Sequence, residues 1–258
     1  MNQPKRMLLD IDGLVWMYAL APRDKPLDFG EEPSEPLSQQ EIVESTLMAI
    51  DQKIQFLMED LGCQSFQVAF GCPGPSFRVK RMPQYKAKRP DVPAVVTEVY
   101  HRVKQKYAAD TLVHPLAGLE ADDVLGMSQD HEGSTVVVSR DKDLLTIPGW
   151  NYNPWKPERG LRWVTPKSAK LFLLYQALMG DSTDGYPGCP GIGKVKAEDI
   201  LSSVLELFGF SEDMLLQAAL QTYVSRGQTP EDFLDNLHTA YILGGPQDLI
   251  RKAEQMCL

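Results

Sequence analysis

Two aspartates three residues apart, Asp181 and Asp184, stand directly before a glycine-rich turn in the second half of the chain. In a tight turn they can hold a hard divalent cation, which prefers oxygen ligands. The segment Gly191-Ile192-Gly193 then precedes a predicted helix that begins at about Lys194. Free N–H groups at a helix N-terminus favour a phosphate. A metal site and a phosphate site so close in sequence indicate a nucleic-acid backbone, although a simple turn with solvated acids is the alternative.

Further carboxylates follow predicted strands or begin a predicted helix. Acids at the carboxyl ends of parallel strands point into the crevice where open α/β sheets bind ligands, so we expect these side chains to share one cleft. Such a set repels strongly unless cations neutralise it, and two metal ions are a common arrangement for phosphodiester hydrolysis. The candidate metal ligands are Asp12, Glu120, Asp122, Asp123, Asp141, Asp143, Asp181 and Asp184.

Positive charge is concentrated in one segment of a chain whose formal net charge is −9. Residues 71–106 hold nine lysines and arginines against two acids. This pattern is typical of a phosphate-tracking surface, although a solvated charged face is the plain alternative. Within it, the run from Tyr85 to Arg89 interleaves an aromatic ring with basic residues, which suits single-stranded or frayed DNA.

Composition excludes several other classes of protein. With 258 residues, 43% of them hydrophobic, the chain can bury a full core as one large domain or as a domain with an extension. The four cysteines form no C-x-x-C pair, which favours reduced thiols in a cytoplasmic protein. No stretch is apolar enough to span a membrane, and Asp10 and Asp12 interrupt the N-terminal apolar run too early for a signal peptide.

Strand and helix patterns alternate along the first two thirds of the chain, which predicts a doubly wound, mostly parallel α/β sheet. A helical region is predicted from Thr165 onward, and residues 22–36 are predicted to form an exposed loop. The predicted strands cover residues 7–11, 66–70, 111–113 and 135–139, with short ones at 150–153 and 161–164, and the main predicted helices cover 38–61 and 95–107 and begin near 118.

These motifs, in this order, resemble the flap endonuclease/5′-3′ exonuclease superfamily, including the 5′-nuclease domain of bacterial DNA polymerase I and the stand-alone 5′ nucleases of bacteriophages. The resemblance covers about residues 7–205 and rests on segments 8–13, 76–78, 85–89, 118–125, 139–144 and 178–197. It implies a PIN-like nuclease core over residues 1–165, with a helical arch or clamp at about 72–106. It also implies a helical region over 166–258, with a helix–three-turn–helix DNA-binding element at about 179–205.

The resemblance further implies two divalent cations, Mg²⁺ with Mn²⁺ able to substitute, and a K⁺ ion at the hairpin of residues 191–193. It assigns Asp12, Glu120, Asp122 and Asp141 to the first metal, and Asp143, Asp181 and Asp184 to the second, with Asp123 at the border. Lys86 matches an arch lysine, and Arg78 and Arg89 match residues that steer the scissile phosphate. The expected DNA-binding residues are Tyr85, Lys88, Gly191, Ile192, Gly193, Lys194 and Lys196.

The expected activity is that of a 5′-3′ exonuclease and structure-specific 5′-flap endonuclease. Its expected substrates are DNA with 5′ ends, flaps or nicks, and RNA/DNA hybrids. One departure favours a second hypothesis, a nuclease-fold DNA-binding protein with weakened catalysis. Where the family places a metal-site aspartate at the end of the second strand, this chain has Gly71. A PIN-type ribonuclease is a third hypothesis, against which the duplex-binding hairpin argues.

Asp10 raises a separate hypothesis, because it adds an acid to an otherwise apolar strand. If the strand continues to residue 11, the side chains of Asp10 and Asp12 point to the same face, about 7 Å apart. We predict that Asp10 compensates for Gly71 by reaching a metal through a bridging water. The alternative is that Asp10 accepts hydrogen bonds from a neighbouring loop or helix start and has no part in metal binding.

Overall fold

The computed structural model describes residues 3–21, 37–72 and 74–258, so the loop predicted at 22–36 lies outside the described residues. Its centre is a five-stranded sheet in the order β2-β1-β3-β4-β5. The first four strands of this order run parallel, and β5 pairs antiparallel with β4. The strands are β1 (Arg6–Asp10), β2 (Ser65–Ala69), β3 (Thr135–Val138), β4 (Gly149–Tyr152) and β5 (Arg162–Val164). The prediction of a mostly parallel α/β sheet is confirmed.

Ten α-helices lie in the described part of the chain. They are α1 (Ile11–Ala19), α2 (Gln39–Leu61), α3 (Phe77–Arg81), α4 (Ala94–Lys106), α5 (Ala121–Ser128), α6 (Pro166–Met179), α7 (Lys194–Phe208), α8 (Glu212–Ser225), α9 (Pro230–Ala240) and α10 (Gln247–Met256). Helices α1, α2 and α4 pack on one face of the sheet, and α5 packs on the other. Helices α6 to α10 form a third core of their own. None of the described helices is long and apolar enough to cross a membrane.

Local signals explain the elements that the sequence predicted well. Ser38 and Glu41 form a reciprocal capping box at the start of α2, and Gly62 ends that helix with φ +64°. Thr165 caps α6, whose first residue is Pro166. All residues of β3 are buried and most are valines, as expected for a central strand covered on both faces.

Two expectations about local structure are wrong. Residues 111–113 form no strand, because only Thr111 bridges β2, opposite Val68. The first strand ends at Asp10 instead of continuing to residue 11. There the Asp10 carboxylate caps α1 and its Oδ1 accepts a hydrogen bond from the Asp12 amide at 3.2 Å. Asp10 and Asp12 therefore do not share a strand face, and the geometry predicted for them is incorrect.

The turn between α6 and α7 is closed by two glycines in the left-handed region. Gly180 has φ +73° and Gly188 has φ +65°. A Cβ atom at Gly188 would lie 2.3 Å from the Gly180 amide nitrogen, so only glycine permits this approach of the two ends. The segment between them is held as a compact loop between two helices. Its predicted role in DNA binding stays a prediction.

A buried ion pair ties the segment before α4 to the C-terminal helices. The Arg78 side chain donates two hydrogen bonds to the Asp123 carboxylate, at 2.8 and 2.9 Å. It also donates to the backbone carbonyls of Thr239 and Tyr241. Arg78 is 3% exposed and Asp123 is fully buried. One guanidinium thus connects α3, α5 and the end of α9.

We expect Arg78→Ala to lower the free energy of unfolding by about 3–5 kcal/mol, because it leaves the Asp123 carboxylate buried without its cation. Arg81→Ala is the matched control, since Arg81 pairs with Glu231 and Asp235 at the protein surface. That change should cost less than about 1 kcal/mol. Urea unfolding followed by circular dichroism measures both. Equal losses in the two variants would contradict a stabilising role for the buried pair.

Candidate active site

An open cleft of about 950 Å³ lies at the carboxyl ends of the parallel strands. It brings together every predicted metal ligand except Asp123, and Asp10 lines it as well. These seven acids come from four places in the chain. Asp12 lies in the first turn of α1, and Asp141 and Asp143 follow β3. Glu120 and Asp122 begin α5, and Asp181 and Asp184 lie in the loop after α6.

Ser139 links the end of β1 to the acids after β3. Its hydroxyl donates to Asp10 Oδ2 at 2.6 Å and accepts from the Asp141 amide at 2.9 Å. The Asp143 amide in turn donates to Asp141 Oδ1 at 2.8 Å. Asp10 thus caps a helix and accepts a hydrogen bond from a neighbouring loop. These are the contacts that the alternative to metal binding predicted. A water-mediated role toward a metal stays a prediction.

The acid loop after α6 packs directly against the predicted arch segment. The Lys86 amide donates to the Asp184 carbonyl at 2.8 Å. A Cβ atom at Gly185 would lie 2.7 Å from the Gln84 carbonyl oxygen. Lys86 has φ +56°, a left-handed conformation that no other described non-glycine residue adopts. Such strain needs a surrounding structure that enforces it, and here the contacts with the acid loop do so.

Three cationic side chains lie among the acids. Lys86 Nζ donates to Glu120 Oε2 at 2.6 Å, and Arg89 donates to Asp184 Oδ1 at 2.7 Å. Lys142 joins two elements, because its ammonium donates to Asp143 at 2.8 Å and to Asp181 at 2.9 Å. Lys86 and Arg89 therefore lie in the cleft, where a phosphate could be contacted.

Crowding and burial make several of these carboxylates hard to ionise. Burial, reinforced by Asp10, raises the pKa of Asp12 to about 7. Burial and the nearby Asp141 raise the pKa of Asp143 to about 6. The pKa of Asp122 is also raised, by burial and then by Asp10 and Asp141. Asp12 Oδ1 is buried and accepts no hydrogen bond within the described part of the chain.

This donor set fits hard divalent cations, which bind carboxylate oxygens and would relieve the repulsion. As the side chains stand, no three of them in the described chain are arranged around a single ion. The lysine and arginine contacts hold several of the carboxylates in other directions. The number of ions and the division of the ligands between them therefore stay predictions.

The structure corrects three of the predicted roles. Both oxygens of Asp123 accept from Arg78, so Asp123 is not available as a metal ligand. Arg78, buried in that pair, does not line the cleft and cannot steer a phosphate there. Tyr85 is buried, and its hydroxyl donates to Glu120 Oε2 at 2.9 Å, so its ring is not free to stack on a base.

The hairpin of residues 191–193 does not line the cleft and forms a second candidate site. Gly193 caps α7 in an extended conformation, and a Cβ atom there would meet nothing within 4 Å. The Ile192 side chain is buried, so only its backbone can reach a ligand. Lys196 Nζ donates to the Gly191 carbonyl at 3.0 Å and places a positive charge where the K⁺ ion was expected. Lys88 and Lys194 are exposed.

Sequence reasoning missed four residues that line the cleft: Trp16, Arg140, Lys142 and Lys156. Arg140 and Lys156 form no ion pair within the described residues, unlike the other cations of the cleft. The Arg140 guanidinium lies 6.0 Å from the centre of the Trp155 ring. Arg140 and Lys142 flank Asp141 in sequence and could have been found from that position. Trp16 and Lys156 carry no such signal, because the fold alone brings their segments to the cleft.

A mostly parallel sheet with clustered carboxylates and lysines at its carboxyl edge defines an α/β protein with an acidic cleft that is suited to binding cations. Residues 33–168 match the family model described as "5′-3′ exonuclease, N-terminal resolvase-like domain". The chain belongs to this family.

Curated relatives include DNA polymerase I of Pseudomonas aeruginosa, 31% identical over 54% of this chain and 16% of the relative. The exonuclease of Escherichia phage T7 is 33% identical over 47% of this chain and 41% of its own length. The 5′-3′ exonuclease of Buchnera aphidicola is 32% identical over 46% of each protein. The matched regions thus span less than half of the length of these relatives.

Solved structures share the fold over nearly the whole chain. The T5 5′-exonuclease with bound divalent zinc ions has a TM-score of 0.61 at 16% identity and covers 98% of each chain. The catalytic core of Rad2 in complex with DNA substrate has a TM-score of 0.51 at 14% identity, covering 99% of this chain and 89% of the other. The expected PIN-like fold of the family is thereby confirmed.

Asp12→Asn should become more stable relative to the wild type as pH rises from 5 to 8 in EDTA. The folded-state pKa of Asp12, about 7, lies above its ordinary value of 3.8. Because the folded state holds this proton more tightly, the protonated carboxyl contributes its full stabilisation at pH values below 3.8. This contribution is lost as pH rises through 7. Thermal unfolding measures the difference in Tm, and Asp91→Asn, at an exposed aspartate, is the control. A difference in Tm that does not change with pH would contradict the electrostatics assigned to Asp12.

Proposed function

We propose that the protein is a metal-dependent 5′-3′ exonuclease and structure-specific 5′-flap endonuclease that acts on DNA. One observation carries this proposal: in a chain of this family, seven predicted metal acids and the predicted arch lysine line a single cleft. Residues 1–165 supply the chemistry in this proposal, and residues 166–258 hold the duplex. RNA/DNA hybrids are further candidate substrates.

The carboxylates would hold two divalent cations, with Mg²⁺ as the expected ion and Mn²⁺ as a substitute. Asp12, Asp122 and Asp141, with Glu120, would hold one, and Asp143, Asp181 and Asp184 the other. When bound, such ions neutralise the scissile phosphate and activate a water for its attack. In this proposal the acids supply the carboxylate oxygens that hold the ions, and no side chain forms a covalent intermediate.

The basic side chains have separate roles in this proposal. The Lys86 ammonium, 2.6 Å from Glu120 and 4.0 Å from Asp184, lies between acids of both sets and can donate to the scissile phosphate. Arg89, paired with Asp184, is half exposed and can contact the next phosphate. The amides at Gly191 to Gly193, with Lys194 and Lys196, would hold a phosphate of the duplex. Lys88 would contact the strand near the cleft.

The comparisons do not favour the second hypothesis, a DNA-binding protein with weakened catalysis, whose ground in the sequence was Gly71. Gly71 lines the cleft, and a Cβ atom there would lie at least 3.5 Å from its neighbours. Its backbone also has no positive φ. The fold therefore does not require glycine at this position. Metal-independent binding of flap DNA without cleavage would favour the DNA-binding protein over the enzyme.

Replacing both Asp181 and Asp184 with asparagine should abolish cleavage of a 5′-flap substrate while sparing DNA affinity, because the acids act through the ions and not on the duplex. The assay compares 5′-flap, nicked, single-stranded and RNA/DNA hybrid substrates with Mg²⁺, Mn²⁺ or EDTA. Glu59→Gln with Glu132→Gln is the control, since it removes the same charge at exposed positions. Cleavage at a near wild-type rate by the double asparagine variant would rule out the metal assignment.

Gly193→Val should weaken binding to duplex-containing DNA more than binding to single strands, because the added side chain blocks close approach of a phosphate to the hairpin amides. Position 193 has room for a side chain and no positive φ, so the variant should fold. Ser202→Val, an exposed change on the same helix, is the control. Fluorescence anisotropy gives both dissociation constants, and an equal loss on the two DNA forms would argue against the duplex site.

A further inference from the structure

A small cavity lies behind the acids of the cleft. Its volume of about 10 Å³ is close to the space that one water molecule needs. Four acids line both this cavity and the open cleft, so each has one side toward the substrate space and another toward the interior. These acids are Glu120, Asp122, Asp143 and Asp184.

Tyr186 also lines this cavity. Tyr186 is 2% exposed, and its hydroxyl makes no hydrogen bond within the described part of the chain. Its position is fixed by the acid loop, since Asp181 and Tyr186 exchange backbone hydrogen bonds of 2.9 and 3.1 Å. Two other buried tyrosines differ, because Tyr223 donates to the Ala177 carbonyl and Tyr85 donates to Glu120. A buried hydroxyl without a partner is costly and calls for an explanation.

The phenol can act only as a neutral hydrogen-bond donor or acceptor here. A phenol has an ordinary pKa of about 10 and is neutral near pH 7. The hydroxyl proton therefore stays on the oxygen and faces a group of hydrogen-bond acceptors. Asp122 receives no hydrogen bond from the described residues, and Asp143 uses Oδ1 for Lys142. Both acids thus keep free carboxylate oxygens, and both residues line the cavity.

We propose that this cavity is a binding site for a single water molecule, and that Tyr186 positions the metal acids through it. The phenol donates to the water, and the water donates its two hydrogens to the inner oxygens of Asp122 and Asp143. These acids belong to the two different ligand sets, so one water would fix the outer oxygens of both. The inference rests on the proposed function only in that the acids hold divalent cations.

Hydrogen bonds behind a ligating group orient it toward the metal, and their removal typically weakens metal affinity 10–100-fold. Tyr186→Phe removes only the hydroxyl and keeps the ring in its core. We expect the Kd for Mn²⁺, measured by isothermal titration calorimetry without DNA, to rise roughly 10-fold. The Mg²⁺ concentration for half-maximal cleavage should rise with it, whereas the Kd for duplex DNA should not change. Thermal stability in EDTA should change little, because the phenol has no partner within the described residues to lose.

Tyr223→Phe is the matched control, since it removes a hydroxyl that the protein itself uses. It should lower the Tm in EDTA by about 2–4 °C and leave Mn²⁺ affinity unchanged. A crystal structure of the wild type should show a water within hydrogen-bonding distance of the Tyr186 hydroxyl.

Three results would overturn the proposal: wild-type Mn²⁺ affinity in Tyr186→Phe, a loss of Tm like that of Tyr223→Phe, or a dry cavity in the crystal. Absence of Mn²⁺ binding by the wild type would instead refute the proposed function, and this inference with it.

Discussion

Repulsion among carboxylates at one edge of the sheet is the constraint on which the rest of the structure depends. Burial and mutual repulsion raise the pKa of Asp12 to about 7 and that of Asp143 to about 6. The fold opposes this repulsion with hydrogen bonds and cations, among them the Ser139 hydroxyl between β1 and β3 and the Lys142 ammonium between Asp143 and Asp181. These contacts hold acids from separate elements together and leave a charge imbalance that divalent cations would relieve.

The acid loop after α6 carries this constraint from the sheet to the helical region. A Cβ atom at Gly180 would lie 2.4 Å from the Pro187 carbonyl carbon, so glycine there lets the loop close on itself and hold Asp181 and Asp184 at the sheet edge. The same loop enforces the left-handed conformation of Lys86 through the Asp184 carbonyl. The predicted arch segment, the sheet and the helical region therefore meet at the acids, and a shift in one would move the charges of the others.

The sequence predicted the location of the site better than the role of each side chain in it. Acids that follow strands must meet at one edge of a parallel sheet, which accounts for Asp12, Asp141 and Asp143. The packing of α5 and of the loop after α6 brings the other four of the seven predicted ligands to the same cleft. Asp122 and Asp123 could not be separated in this way, because both lie in the first turn of α5. Successive helical residues point about 100° apart, so only the packing of Arg78 reveals which one is withdrawn. The shared strand face predicted for Asp10 and Asp12 is wrong because the strand-to-helix junction falls one residue earlier than the apolar run suggests.

Two adjacent residues in the first turn of α5 differ in their surroundings: Asp123 pairs with Arg78 in the interior, and Asp122 lines the cleft. Asp123 is fully buried with four donors, two from Arg78 and the amides of Glu120 and Leu243, so its charge is stabilised and is withheld from the cleft. Asp122, the adjacent residue, has none of these donors, and its pKa is raised by burial and by other acids. Asp122 is only partly buried and lines the open cleft, where a bound cation could compensate for the missing donors. The ion pair of Asp123 anchors the helix, and the anchored helix holds Asp122 in a position that the chain by itself does not favour.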